Sequence, residues 1–226
     1  MADTKKAPRP ASSPLKNGYL VLYNAVSAGL WLTVLSRVIA TNLLSANGAA
    51  DVCPTTGELC KWVQTLAGME VLHSLLGIVR APFVTTFMQV FSRYAIVWGV
   101  TDLFPNDPAI GRSPVYSSML VAWGVTEVVR YSYFALTLSG FEPKFLHWMR
   151  YHGFFVLYPL GISSEAWLIW KSVGPAEQAV GEWYSWLLLA YVVGVYPPSA
   201  YILYTHMMAQ RRKVMRALKA NSGKAQ

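Results

Sequence analysis

Charge is what this 226-residue chain lacks most: Asp, Glu, Lys and Arg make up 13% of it, about half of the roughly 25% usual in a soluble domain. That shortage excludes an ordinary water-facing surface, and the 54% hydrophobic content says what replaces it. Lipid is the solvent such a composition suits, and the nine Trp and thirteen Tyr are residue types that settle at membrane interfaces. Cysteine is nearly absent too. Cys53 and Cys60 are too few for a disulfide scaffold, and two thiols alone make no metal site, so no metal is expected. The N-terminus has no short apolar stretch followed by a cleavage site, so no cleavable signal peptide is expected.

Basic charge is concentrated in the tails. Lys5, Lys6, Arg9 and Lys16 precede the first apolar run, and Arg211, Arg212, Lys213, Arg216, Lys219 and Lys224 follow the last. Such tails set membrane topology. Nucleic-acid binding would need a basic folded surface instead, and no nucleic-acid partner is expected. Pro8, Pro10 and Pro14 among Ser and Lys read as a disordered tail over residues 1–17, and a basic tail covers 209–226.

A helix needs roughly 20 apolar residues to cross a bilayer. Six candidate spans fit: 18–44, 62–79, 83–104, 115–139, 149–171 and 183–208. Pro82 suits a tight turn between the second and third. No internal repeat is evident, so residues 18–208 read as one all-α, six-span bundle. Six spans put both termini on one side. That side holds thirteen Lys and Arg, the other only Lys61, Arg112 and Lys171, so both termini are expected in the cytosol. The CPTTGELC segment from Cys53 to Cys60 then faces the opposite side, with Pro-Thr-Thr-Gly turning the chain. A disulfide and two free thiols both fit there.

An ionisable residue inside a membrane costs a few kcal/mol and is a functional candidate by default. Here such residues fall on helical faces: Glu70, His73, Ser74 and Gly77 on the second span; Thr85, Gln89, Ser92 and Arg93 on the third; Glu127, Arg130, Tyr131 and Phe134 on the fourth. Glu127 and Arg130 can pair within their helix. Arg37, Arg93 and Glu127 read best as ionic glue of the bundle, with Arg130 open between glue and function. On the fifth span Tyr151, Tyr158 and Glu165 recur every seven residues and so line one groove, each step rising roughly 10 Å. Gly161 leaves room for a ligand on that face, and Pro159 loosens the helix. Entering near Arg150, the chain places Tyr158 roughly 12 Å and Glu165 roughly 22 Å deep. A carboxyl group at that depth either serves a substrate groove or pairs with an arginine of a neighbouring helix.

RYHGFFVLYPLGISSE, Arg150 to Glu165, resembles the signature of the 3-hydroxyacyl-CoA dehydratases of the endoplasmic reticulum, which act in very-long-chain fatty acid elongation and were formerly called protein tyrosine phosphatase-like proteins. EVLHSLLGIVRAP (Glu70–Pro82), the Gln89–Trp98 run, WGVTEVVRYSYFAL (Trp123–Leu136) and YNAV at Tyr23 agree in order and spacing. The resemblance implies six spans with cytosolic termini in the endoplasmic reticulum membrane. It implies dehydration of a (3R)-3-hydroxyacyl-CoA to a trans-2-enoyl-CoA without a cofactor, by a Tyr and a Glu seven residues apart, here Tyr158 and Glu165. It also implies partnership with the other membrane enzymes of the elongation cycle. A phenol and a carboxyl group suit the removal of an α-proton and the protonation of a departing hydroxide. Arg130 could tune Glu165 or hold the enolate-like oxygen. Tyr131, Tyr151, Glu70 and His73 are supporting candidates.

The older phosphatase label fails on chemistry. It needs the thiolate of an HCxxGxxR loop, and here His73-Ser74-Leu75-Leu76-Gly77-Ile78-Val79-Arg80 carries a serine, a weak nucleophile without a base. The terminal Gly-Lys-Ala-Gln has no dilysine retrieval signal, so location rests on the resemblance. The competing reading is a membrane transporter or an inactive scaffold. A transporter calls for broken helices in paired halves, whereas only Pro159 and Tyr196-Pro197-Pro198 interrupt helices here. An inactive scaffold should have lost Tyr158 or Glu165.

Overall fold

In the computed structural model, residues 13–222 are described, and they fold into six helical stretches without a strand among them. The first is α1 (Pro14–Leu44), with Ser13 before it and Pro14 in its first turn, where a missing N–H costs nothing. It begins inside the 1–17 stretch read as a tail; residues 1–12 and 223–226 lie outside the described residues. The second stretch is α2 (Val52–Leu66) continuing into α3 (Gly68–Leu75). The third is α4 (Phe83–Ile96), which widens into a π-turn at Val97–Thr101. The fourth, α5 (Pro114–Leu138), is capped by Ser113, whose hydroxyl accepts the Val115 N–H at 3.2 Å. The fifth runs from α6 (Lys144–His152) through Gly153 into α7 (Phe154–Ala179). The sixth is α8 (Glu182–Ala190), a second π-turn at Tyr191–Val195, and α9 (Tyr196–Ser222). Pro197 and Pro198 explain this π-turn: neither can donate to the carbonyl four residues back, so the preceding turn loosens.

Two corrections follow from α2. The helix expected at 62–79 begins already at Val52 and ends at Leu75. Pro54 does not turn the chain; it sits in the first helical turn, where no N–H is needed. Gly57 is helical as well, pressed against Cys53 and Tyr116. Cys53 and Cys60 are therefore buried free thiols about two turns and roughly 10 Å apart along one helix, beyond the reach of a disulfide. The α2–α3 junction has a local cause. The Thr65 carbonyl accepts the Tyr94 hydroxyl, and the chain tightens so that Ala67 N–H bonds Gln64 O at 3.0 Å.

α5 is the central helix, packing on α1 along most of its length and on α7. The dense core lies at the end where α5 begins: Trp31, Val34, Val38, Val63, Ile96, Met119, Leu120, Leu168 and Ile169 are all buried there. The outside is apolar: Leu22, Leu32, Phe87, Phe91, Trp170, Trp183 and Val193 are exposed, an inverted surface that calls for a partner other than water. Two helical segments, Pro14–Leu44 and Glu182–Arg216, are long and apolar enough to cross a membrane. The other stretches are short of that because they break at Ala67 or Gly153 or carry polar side chains inward. Arg37, expected to be bundle glue, instead stands on the exposed face of α1 and forms no salt bridge among the described residues.

Candidate active site

Where α3 ends, α5 ends and α7 starts, the bundle is hollow. A cavity of about 620 Å³ runs from His73, Leu138 and Arg150 at its mouth to Gln64, Arg93, Trp123 and Glu165 at its floor, some three to four helical turns deeper. Tyr158, Gly161 and Glu165 all line it. The seven-residue spacing thus brings the predicted pair to one wall, with Gly161 between them, where a Cβ would meet Ala122 and Trp123 of α5 at 3.9 Å.

Tyr151 does not join them. Gly153 separates α6 from α7 with a backbone that stays right-handed helical. Tyr151 packs on His147, with ring centres 4.8 Å apart, and does not line the cavity.

Glu165 is buried, and among the described residues its hydrogen bonds go to neutral donors, not arginines. Oε1 accepts the Trp123 indole N–H at 2.8 Å, and Oε2 accepts the Tyr196 hydroxyl at 2.8 Å. Two donors from two helices fix the carboxyl plane while leaving it against the cavity. Tyr196 is placed by the π-turn that Pro197 and Pro198 impose just before it. Tyr158 stands one and a half to two turns nearer the mouth, with its ring 5.9 Å from that of Tyr204.

The arginines are engaged elsewhere. Arg93 donates to Glu127. Arg130 donates from Nε to Glu127 at 2.7 Å and through both terminal nitrogens to Glu70 at 2.7 and 2.8 Å. Tyr131 donates to Glu70 as well. The network therefore reads Arg93–Glu127–Arg130–Glu70–Tyr131, spanning α3, α4 and α5. Bidentate geometry makes Arg130 a rigid member of it, not a partner of Glu165. His73 is buried and bonded to the Tyr19 hydroxyl at 2.7 Å, with Tyr23 edge-on at 4.9 Å. Arg93 also lies over the Trp123 ring at 5.1 Å, so the network touches the indole that holds Glu165.

Sequence reasoning missed Trp123 and Tyr196 as partners of Glu165. Trp123 lies four residues before Glu127 on the inward face of α5, which is a usable signal. Tyr196 gave only its place before two prolines. The His73–Arg80 run also differs from expectation. It is not helical throughout: α3 ends at Leu75, Gly77 adopts φ +67°, and Val79 N–H closes on His73 O at 3.1 Å. This is a helix C-terminus, which presents carbonyl oxygens and repels phosphate. The Ser74 hydroxyl donates to the Ala81 carbonyl at 2.9 Å.

The chain belongs to the protein tyrosine phosphatase-like (PTPLA) family, whose model matches residues 64–217. Among curated relatives, it is 44% identical over 90% of its length to 95% of a probable very-long-chain (3R)-3-hydroxyacyl-CoA dehydratase from Schizosaccharomyces pombe. It is 35% identical, over 92% of its length and 97% of the relative, to the very-long-chain (3R)-3-hydroxyacyl-CoA dehydratase PASTICCINO 2B of Oryza sativa. The human very-long-chain (3R)-3-hydroxyacyl-CoA dehydratase 2 is 31% identical over 89% of this chain and 82% of its own length. No solved structure matches.

Proposed function

We propose that this protein is a membrane-embedded (3R)-3-hydroxyacyl-CoA dehydratase, a hydro-lyase of very-long-chain fatty acid elongation, with Tyr158 and Glu165 as its acid–base pair. The observation that carries the reading is a buried carboxyl group, held by Trp123 and Tyr196, sharing one cavity wall with a phenol. The names of the relatives supply the reaction class.

The chemistry needs no electron acceptor. A proton leaves the α-carbon of the thioester, the pair left behind forms the carbon–carbon double bond, and the β-hydroxyl departs with a second proton as water. One group takes the first proton and another gives the second. In this reading Tyr158 works at the α-carbon and Glu165 at the hydroxyl. The network of Arg93, Glu127, Arg130 and Glu70 stiffens the opposite wall, and with it the indole of Trp123. The acyl chain lies in the apolar part of the cavity. The phosphates of CoA meet basic groups at the mouth, where the buried Nη1 of Arg150 lacks a hydrogen-bond partner among the described residues.

The same reading assigns all six helical stretches to the endoplasmic reticulum membrane with both termini in the cytosol, beside the other elongation enzymes. The apolar exterior and the surplus of basic residues at the mouth end support it. A transporter or inactive scaffold is the competing reading, and an intact Tyr–Glu pair on one cavity wall favours the enzyme. Purified protein in detergent should convert 3-hydroxyacyl-CoA to enoyl-CoA. No conversion, or conversion unchanged in Tyr158→Phe and Glu165→Ala, would sink the proposal.

A further inference from the structure

Gln64 is the one fully buried amide in the cavity wall, and it is chemically unfinished. Its exposure is 0%, it lines the cavity floor, and neither Oε1 nor Nε2 has a hydrogen-bond partner among the described residues. Leaving a buried amide unbonded costs on the order of a hydrogen bond or more. Other buried polar groups lining the floor are bonded: Glu127 to two arginines, Glu165 to Trp123 and Tyr196. The backbone around Gln64 is fixed too. Its carbonyl accepts Ala67 N–H at 3.0 Å as the helix tightens. Gln64 and Glu165 line the same cavity.

We infer that Gln64 is a specificity-determining residue that binds the 3-hydroxyl of the substrate. An amide presents one acceptor and one donor side by side. A hydroxyl is the small group that answers both, donating to Oε1 and accepting from Nε2. A thioester carbonyl answers only the donor, and an acyl methylene answers neither. The hydroxyl oxygen keeps a second lone pair for the proton delivered by Glu165, so Nε2 is placed to hold that oxygen as it departs. The enoyl product has no hydroxyl and forfeits both bonds, which favours its release. This inference rests on the dehydratase reading.

The test measures binding in the full-length protein with turnover removed by Tyr158→Phe. The probes are a 3-hydroxyacyl-CoA and the saturated acyl-CoA of equal chain length, titrated separately. The parent should prefer the hydroxylated probe by about tenfold, the value of one to two net hydrogen bonds. Gln64→Met, similar in shape and apolar, should erase that preference and leave the saturated probe bound as before. Without ligand the same variant should melt no lower than its parent, since an orphaned polar group has been removed. A preference that survives Gln64→Met overturns the inference while the dehydratase reading stands. Equal weakening of both probes also overturns it, because Gln64 would then read the thioester. A parent that binds neither probe overturns the dehydratase reading itself, and Gln64's role with it.

Discussion

The two ends of the bundle solve different problems with the same six helical stretches. At one end Trp31, Met119, Leu120, Ile169 and their neighbours fill the interior with apolar side chains. At the other, the same helices enclose a cavity of about 620 Å³ walled by carboxylates, arginines and phenols. The dense end holds the helices together and so allows the hollow end to stay open. The polar wall is not a second core. Its ion pairs hold position, and buried ion pairs do not on balance add stability over apolar packing. Substitutions should therefore separate: changes at the dense end act on stability, and changes at the hollow end act on chemistry.

The sharpest separation is expected at Glu165. Glu165→Ala should lower turnover by about 10²–10⁴-fold, the range for a lost acid or base. The melting midpoint should stay close to the parent's, because Trp123 and Tyr196 sit beside a cavity that water can reach. Assaying enoyl-CoA formation alongside a thermal melt checks both. A protein that loses activity only because it unfolds would collapse the distinction between the two ends.

Glu127 is where the distinction should fail. It is 2% exposed and answers both Arg93 and Arg130. Glu127→Ala takes a buried carboxylate from two half-buried guanidinium groups, Arg130 keeping Glu70, which costs about 1–3 kcal/mol. Activity should fall as well, since Arg93 lies over the indole that holds Glu165. By contrast, Leu120→Ala, at 0% exposure in the dense end, should cost about 2–5 kcal/mol with turnover per folded molecule unchanged. Denaturation in detergent, paired with active-site-normalised rates, compares the two variants directly.

Much of this division was legible in the sequence. Scarce charge and long apolar runs announced an all-helical bundle with an apolar exterior, and the Tyr158–Glu165 spacing placed both residues on one cavity wall. Glu70, His73 and Arg130 were also expected to face inward, and they do. What escaped was set by contacts between helices. Whether Glu165 meets an arginine or a pair of neutral donors depends on how α5 and α9 rotate against α7, and no periodicity within one helix encodes that. The start of α2 escaped for a related reason. Pro54, Thr55 and Gly57 look like a turn, yet burial of Gly57 against Tyr116 of α5 holds them helical. Tyr196→Phe tests the interhelical part on its own. Losing one donor to Glu165 should cost about 1–3 kcal/mol of the carboxyl group's positioning, read as a fall in kcat of about tenfold with little change in melting.

The smallest effect is expected at Tyr151, and it discriminates between spacing and geometry. By spacing alone Tyr151 and Tyr158 are equivalent, since each lies seven residues from the next member of the series. In the fold they are not. Tyr158 lines the cavity, while Tyr151 packs on His147 and is not part of its lining. Tyr151→Phe keeps the ring and its packing and removes only a hydroxyl, so kcat/KM should remain within about twofold of the parent, the scale of a surface substitution. Tyr158→Phe removes the same atom and should cost at least about 100-fold. Equal losses in the two variants would mean that Tyr151 reaches the cavity wall when substrate is bound.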